Sequence, residues 1–177
     1  MTQVAEPDLV GIVTSAAEGD QFAFGRIVAA HHEDMRRVCV FVTRDDTLAE
    51  DATQMAWAVA WQKLGTLRAP DRLRPWLISV AVNQAKDLLR SRNRRSELEV
   101  ATDASRVSGG IDPATVIERL DALEAMGRLE PGDRALIALR YVLGFDATEL
   151  AATLGGTPAG IRQRLKRLVD HLRQELA

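Results

Sequence analysis

The stretch that decides the fold is DATELAATLGGTPAGIRQRLKRLVDHLR, residues 146–173. It reads as a short capped helix, a glycine turn and a second capped helix, which is the layout of a helix-turn-helix. Asp146 begins a capping box, and Thr157 directly before a proline is typical of an N-cap. The pattern therefore predicts helices over 147–154 and 158–175.

The second of these helices has two different faces. At 100° per residue its apolar residues fall on one side, which must face a core: Ile161, Leu165, Leu168, Val169 and Leu172. Arginine, lysine and glutamine are the side chains that bind phosphates and read guanine and adenine edges in the major groove. The candidate DNA-reading residues are Arg162, Gln163, Arg164, Lys166 and Arg167. An exposed basic helix without a ligand is the alternative.

Helical periodicity extends through the rest of the chain, and strand-like alternation is absent. The predicted helices cover 8–17, 21–43, 48–64, 75–92, 114–127 and 134–142. We expect Asp20 to cap the second helix, a capping box of Thr47 and Glu50 to open the third, and Gly65 to end it. Pro75 fits the first position of the fourth.

Periodicity stops between Ser96 and about Ile117, where SELEVATDASRVSGGIDPATVI mixes acids, serine and glycine with few bulky apolar residues. We interpret 96–117 as a flexible linker. The fold prediction is all-α, with two small helical domains at 1–95 and 118–177, the second of them the helix-turn-helix.

Charge is unevenly distributed along the chain. The net charge is −2, yet residues 63–95 carry nine basic and two acidic residues, and 134–177 carry seven and four. The segments 1–62 and 96–133 are each acidic by six charges. Two basic blocks separated by an acidic one favour two polyanion-binding surfaces, with plain solvated helix faces as the alternative.

The first basic block contains a loop and a helix. LRAPDRLR at 67–74 brings three arginines and a proline together in a loop, and the helix after it carries a polar row at helical spacing. Such a row can follow a nucleic-acid backbone and contact a few bases. Its candidate residues are Arg68, Arg72 and Arg74 in the loop, and Asn83, Lys86 and Arg90 on the helix.

The helix AEDATQMAWAVAWQKL, 49–64, is apolar around most of its circumference. Trp57 and Trp61 lie one turn apart on it. A helix with two apolar faces is either central to a core or also meets a partner. Core packing is the favoured interpretation for the tryptophans, because aromatic residues at this spacing are common in cores.

Other features exclude several classes of protein. A hydrophobic content of 46% and a charged content of 27% are those of a globular chain. No apolar run approaches the ~20 residues of a membrane helix, and the N-terminus lacks an export signal. We therefore expect the protein to be located in the cytoplasm. With one cysteine and three histidines, we predict no metal site, no cofactor and no catalytic residue.

The combination resembles a known family, the extracytoplasmic function (ECF) sigma factors of the sigma-70 family. EGDQFAFGRIV, AEDATQMAWAVAW and RPWLISVAVNQAKDLLRSRNRR are similar to the first conserved sigma region. LEPGDRALIALRYVLGFDATELAATLGGTPAGIRQRLKRLVDHLR is similar to the second. The Glu130-Pro131-Gly132 and Gly155-Gly156-Thr157 turns depart from the family's usual pattern, which bears on promoter sequence more than on activity.

The resemblance implies a dissociable subunit that directs core RNA polymerase to promoter DNA. It assigns Arg68, Arg72, Arg74, Asn83, Lys86 and Arg90 to the minus-ten element, and Arg162, Gln163, Arg164, Lys166 and Arg167 to the minus-thirty-five element. It assigns Glu50, Asp51, Gln54, Trp57 and Trp61 to core polymerase. An anti-sigma factor is the further partner that it implies. The rival hypothesis is a stand-alone helix-turn-helix regulator that dimerises through 48–64.

Overall fold

The computed structural model describes residues 9–96 and 124–176, and all regular structure in these two ranges is helical. Residues 124–128 are also helical. The seven helices with described bounds are α1 (Leu9–Ala17), α2 (Gln21–Thr43), α3 (Asp46–Lys63), α4 (Leu73–Ser96), α5 (Pro131–Tyr141), α6 (Ala147–Leu154) and α7 (Pro158–Glu175). None of the helices in these ranges is long and apolar enough to cross a membrane.

Helices α2, α3 and α4 pack against one another and form the N-terminal bundle, with α1 against α2. Small residues on α3 allow this close approach: Ala52, Ala56 and Ala60 are completely buried. The apolar stripe predicted for α2 faces the same core, where Met35 and Val38 have no exposed surface. Burial of these side chains is the main stabilising term of the bundle.

The start of α3 corrects the sequence prediction. The N-cap is Asp45, whose carboxylate accepts a 3.0 Å hydrogen bond from the Leu48 backbone N–H. Thr47 therefore lies inside the first turn and does not form the predicted capping box with Glu50. Asp45 occupies the N-cap position because its backbone is extended at φ −146°, as an N-cap requires. Its carboxylate also accepts a hydrogen bond from Arg92.

The ends of the loop before α4 also differ from expectation. Gly65 does not stop α3 in a left-handed turn; it lies within a 3-10 turn, Leu64–Thr66, that continues the helix. A second 3-10 turn, Pro70–Arg72, leads directly into α4 at Leu73, so Pro75 is not the first helical residue. At its other end α4 extends to Ser96, beyond the predicted Arg92.

The helix-turn-helix follows the sequence closely. Asp146 and Glu149 form the predicted capping box, with the Asp146 N–H donating to Glu149 Oε2 at 2.8 Å. Thr157 caps α7 by accepting a 3.1 Å hydrogen bond from the Gly160 N–H. Gly155 and Gly156 both have positive φ, at 85° and 106°, so the turn needs the freedom of glycine at both positions.

Two predictions concern segments that are only partly described. The predicted linker 96–117 and most of the predicted helix 114–127 lie outside the described residues, so the domain boundaries at 95 and 118 remain predictions.

Helix α5 begins at Pro131, three residues before the predicted start, because this proline occupies an early helical position after the N-cap Glu130. Helix α5 packs on α2, and α6 packs on α4.

Candidate nucleic-acid interface

The solvent-facing side of α7 gathers four of the five predicted reading residues. Arg162, Gln163, Lys166 and Arg167 are exposed. On the opposite side Ile161, Leu165 and Leu168 are buried, as the sequence predicts, with Val169 and Leu172 packed against the same core. The apolar side fixes the rotation of the helix, so the cationic side must face outward.

Arg164, the fifth predicted reading residue, has a partner within the same region. Its Nε donates to Asp133 Oδ1 at 2.6 Å, and its Nη2 lies 2.5 Å from the same oxygen. The Arg164 side chain is 43% exposed, compared with 21% for Asp133. Arg164 thus links α7 to the first turn of α5. In this it differs from the four exposed residues, whose side chains face solvent.

The polar row on α4 is less uniform. Asn83 and Arg90 are exposed, and Arg90 donates to Asp87 Oδ1 at 3.0 Å. Lys86 is half-buried, and its pKa is lowered by desolvation and by the nearby Arg164 and Arg90, with Asp133 acting in the opposite direction. The row therefore keeps its predicted helical spacing, but its middle member lies close to groups of the C-terminal region.

The three arginines of the 67–74 loop have different surroundings. Arg68 and Arg72 are exposed. Arg74 donates from Nε and Nη2 to Asp34 Oδ2 at 3.1 and 3.0 Å, and its Nη2 also donates to the Leu143 carbonyl at 3.1 Å. Its guanidinium carbon lies 4.8 Å from the ring centroid of Phe145, which is completely buried. Two arginines are thus open to solvent and one is engaged across the two regions.

Helix α3 presents a mixed surface. Glu50, Asp51 and Gln54 are exposed, and the Gln54 amide donates to Glu50 at 3.2 Å. Trp61 is 38% exposed. Trp57 is half-buried and donates from Nε1 to His32 Nδ1 at 3.2 Å. One tryptophan therefore belongs mostly to the bundle, and the other reaches the surface beside the three polar residues.

Phe24 joins the two tryptophans and was not among the predicted residues. Its ring meets Trp57 edge-on at 5.8 Å and Trp61 at 4.8 Å between centroids. Such pairs stabilise by about 0.5–1.5 kcal/mol beyond their burial. The sequence signal that could have found Phe24 is weak, because it lies on α2, some 33 residues or more before its partners.

Sequence reasoning also missed charged residues beyond the predicted rows. Arg94 and Arg95 are exposed on the last turn of α4, which the prediction ended at Arg92. Arg92 itself donates to Asp45 Oδ2 at 2.7 Å and so ties α4 to the start of α3. Arg94 and Arg95 prolong the basic face of α4 toward the predicted linker.

Groups with other chemistry give no competing site in the described residues. No cluster of three or more histidine, cysteine, aspartate or glutamate residues there could hold a metal ion. Cys39 is completely buried, and desolvation raises the pKa of its thiol to about 11, which keeps it protonated and unreactive. The pKa of His31 is lowered by burial, with Asp34 opposing that effect.

Comparison with protein-family models matches both regions of the chain. Residues 27–95 match sigma-70 region 2, and residues 119–172 match sigma-70 region 4. The first match covers α3, the arginine loop and α4, and the second covers the helix-turn-helix.

Individual relatives agree with these matches. The chain is 35% identical over 169 residues to a protein named probable RNA polymerase sigma factor RfaY of Xanthomonas campestris, covering 91% of this chain and 42% of that protein. It is 31% identical over 163 residues to RNA polymerase sigma factor CarQ of Myxococcus xanthus, covering 90% and 92%. Among solved structures, CnrH in complex with the cytosolic domain of CnrY aligns with a TM-score of 0.72 at 26% identity, over 97% of both chains. The chain belongs to the ECF sigma factors of the sigma-70 family.

Proposed function

We propose that this sigma factor directs core RNA polymerase to promoters through three surfaces on two regions. Region 2, residues 1–95, binds polymerase through α3 and the minus-ten element through the arginine loop and α4. Region 4, residues 118–177, reads the minus-thirty-five element with α7. The observation that carries this proposal is the single solvent-facing side of α7, on which all four exposed predicted readers lie opposite a buried apolar side.

The minus-thirty-five contact follows from the chemistry of that side. Arg167 and Lys166 can donate to guanine O6 and N7, and Gln163 can pair with adenine in the major groove. Arg162, near the start of α7, is in a position to bind a phosphate. Arg164 is bound to Asp133, so we assign it to positioning α7 on α5 in the absence of DNA.

The minus-ten contact requires strand opening, and the sequence has no phosphate-binding loop of the GxxxxGK type that could couple opening to ATP. We therefore propose that strand opening is stabilised by binding of an unpaired base. We place this base in the 67–74 loop, where Arg68, Arg72 and Arg74 hold phosphates, with Asn83, Lys86 and Arg90 along the strand. The exposure of Arg68 and Arg72 supports this assignment.

Polymerase docking is assigned to the exposed polar residues of α3 together with Trp61. Glu50, Asp51 and Gln54 form a hydrogen-bonding strip beside an exposed aromatic edge, and Trp is enriched among residues that dominate interface energies. Trp57 supports this surface from below through its bond to His32.

Contact with both promoter elements is compatible with the length of the chain between the regions. The 22 residues of 96–117 can reach at most about 70–80 Å, or some 20 base pairs. Each region offers only a few cations, so free affinity for DNA is weak and falls steeply with salt. Mounting both regions on polymerase raises the effective concentration of the second contact.

We further propose an anti-sigma factor as a partner, since the related CnrH was solved with the cytosolic domain of CnrY bound. In this role the chain is a specificity subunit and does not itself catalyse a reaction. Its work with polymerase and chromosomal DNA places it in the cytoplasm.

The test is transcription by a reconstituted holoenzyme. Core polymerase with the purified chain transcribes a pool of random promoter fragments, and the transcripts are sequenced. We expect an enriched pair of elements at fixed spacing, absent with core polymerase alone. Two-fold symmetric sites bound tightly without polymerase would instead support the stand-alone regulator.

A further inference from the structure

The docking surface proposed on α3 includes a stripe along one face of the helix. Glu50, Gln54, Trp57 and Trp61 follow one another at spacings of four, three and four residues, so their side chains lie in one row, one turn apart. The Gln54 amide donates to Glu50 at 3.2 Å at the polar end of this row. At the aromatic end the two indoles contact side chains of α2.

Two side chains of α2 hold these indoles. His32 Nδ1 accepts a 3.2 Å hydrogen bond from Trp57 Nε1. Phe24 lies about two turns earlier on α2. Its ring meets both indoles edge-on, with centroids 5.8 Å from Trp57 and 4.8 Å from Trp61. Trp57 is thus held by two groups of α2, and Trp61 by one of them.

The indoles differ in their exposure to solvent. Trp57 is half-buried and packs against the core of the bundle, whereas Trp61 is exposed. Phe24 packs against the same core and supports the exposed indole. An aromatic side chain that is already fixed loses little conformational freedom when a partner binds, while a mobile one must be ordered at that moment. The contacts with α2 therefore prepare the aromatic end for binding.

We propose that His32 and Phe24 are positioning residues for polymerase docking, which hold Trp57 and Trp61 in the orientation that polymerase binds. The inference rests on the docking role proposed for α3. Phe24 acts by packing its ring against both indoles, and His32 acts through its hydrogen bond. Neither residue of α2 needs to touch polymerase.

The bond to His32 makes docking sensitive to protonation. Nδ1 can accept the indole N–H only when the imidazole is neutral and carries its proton on Nε2, because a protonated imidazole is a donor at both nitrogens. Histidine is the side chain whose charge ordinarily changes between pH 5 and 8. Polymerase affinity should therefore be complete at pH 8 and fall in acid, where Trp57 loses its acceptor.

Other ionisable groups near His32 are known from the described residues. Those within one turn of it on α2, or facing α2 from α3, α4 and α5, include His31, Glu33, Asp34, Arg36, Asp46, Glu50, Arg74 and Arg134. Residues 9–17 of α1 add none. Arg36, one turn beyond His32, is paired with Glu33 and Asp46 at 3.5 and 3.9 Å. A comparison of two variants that differ only at His32 cancels the titration of all these groups.

The first arm of the test measures the affinity of the full chain for core polymerase at pH 8. The signal is the anisotropy of a dye on Gln174→Cys, an exposed position, while the buried Cys39 stays unlabelled. Phe24→Leu and His32→Leu should each bind about three- to tenfold more weakly, as expected when an anchoring side chain becomes mobile. The matched control is Phe22→Leu, which is 90% exposed on the opposite side of α2 and should keep its affinity.

Combined substitutions test whether the two residues act through the indoles. Trp57→Phe keeps a ring but removes the N–H, so adding His32→Leu to it should cause no further loss. Adding Phe24→Leu to Trp61→Ala should cost less than about twofold, because the indole that it supports is already gone. Full additivity in both pairs would assign the losses to something other than the tryptophans and would overturn the positioning role.

The second arm compares the unaltered chain with His32→Asn at pH 8 and at pH 5.5. Asparagine offers an amide oxygen in place of Nδ1 and does not titrate in this range. The ratio of the two affinities cancels the titration of polymerase as well. The unaltered chain should bind as tightly as His32→Asn at pH 8, and at least about threefold more weakly at pH 5.5.

Nuclear magnetic resonance of the free chain reports the bond without polymerase. With ¹⁵N-labelled tryptophan, the Trp57 indole resonance is identified by its loss in Trp57→Phe. It should move between pH 8 and pH 5.5 in the unaltered chain and stay constant in His32→Asn. Circular dichroism verifies the helix content of every variant. If His32→Leu or Phe24→Leu loses helix, the ratio to His32→Asn decides the test, because that variant keeps the acceptor.

The outcomes separate the positioning role from the docking surface itself. Complete affinity in Trp61→Ala would overturn the aromatic part of the proposed docking surface, and the inference with it. Loss in Trp61→Ala with complete affinity in both Phe24→Leu and His32→Leu would overturn the positioning role alone. An affinity ratio that stays constant from pH 8 to pH 5.5 would overturn the role assigned to the hydrogen bond of His32.

Discussion

The basic faces of α4 and α7 share a sequence pattern but have different surroundings. On α7 the residues Arg162, Lys166 and Arg167 are exposed to solvent. Along α4 and its loop, Lys86 is half-buried and Arg74 is bound by Asp34 and by the Leu143 carbonyl. Helical periodicity identifies which residues share a face, but tertiary packing decides which of them are available to a ligand.

Of the substitutions that test this comparison, we expect the largest loss of promoter opening from those at the exposed arginines of the 67–74 loop. Arg68→Ala with Arg72→Ala removes two exposed cations and should reduce promoter opening by more than about 100-fold, since each charge-assisted contact is worth roughly 1.5–3 kcal/mol. Opening is measured by the fluorescence of 2-aminopurine in the minus-ten strand. Binding to core polymerase should be unchanged, because α3 is not altered.

The matched control is Arg26→Ala with Arg37→Ala, two exposed arginines on α2 of the same region. It should open the promoter normally. Equal loss in both double variants would assign the effect to net charge and not to the loop.

The next effect sharpens the description of α7. Arg167→Ala should cost about 1–3 kcal/mol at one base position if the guanidinium makes a bidentate base contact. Promoter profiling with the holoenzyme measures the preference at each position. Arg173→Ala, on the same helix but paired with Asp170, should leave the profile unchanged. A uniform loss across all sequences would make Arg167 a phosphate contact.

The success of prediction for α6 and α7 has a local cause. Their boundaries depend on Asp146 with Glu149, on Thr157 and on two glycines, and each of these acts within four residues along the chain. The start of α3 was harder, because Asp45, Asp46 and Thr47 are all acceptable caps. Asp45, the cap that forms, has an extended backbone and also binds Arg92, 47 residues away, and the local sequence shows neither feature.

That choice supplies the third prediction, which concerns stability. Asp45→Ala should lower the free energy of unfolding by about 1 kcal/mol, while Thr47→Ala should be nearly neutral. The pKa of Asp45 is lowered by the Leu48 N–H and by Arg92, so the folded state favours the ionised form. Its contribution is present above the ordinary carboxyl pKa near 3.8 and is lost as pH falls through the lowered value.

Urea unfolding of both variants at pH 7 and at acidic pH checks this prediction. The difference between Asp45→Ala and the unaltered chain should shrink in acid. A larger loss from Thr47→Ala than from Asp45→Ala would restore the capping box that the sequence suggested.

The contacts between the two regions could not be predicted from the sequence, for a different reason. Arg134 and Arg74 donate to the carbonyls of Val42 and Leu143, and every residue has a carbonyl. No residue type at the accepting position marks such a bond, and 92 and 69 residues separate the partners. The distribution of charge along the sequence predicted which segments are basic. It did not predict that acidic residues at the starts of helices in region 4 would lie opposite them.

The smallest effect separates Arg164 from its neighbours on α7. Its ion pair with Asp133 is partly exposed, so Arg164→Ala should reduce the free energy of unfolding by less than about 1 kcal/mol. If Arg164 only positions α7, the base preferences of the holoenzyme stay the same, and Arg164→Lys, which keeps the charge beside Asp133, recovers most of the stability. A change of preference at one base position, as large as that from Arg167→Ala, would instead return Arg164 to the reading set and show that DNA competes with Asp133 for its guanidinium.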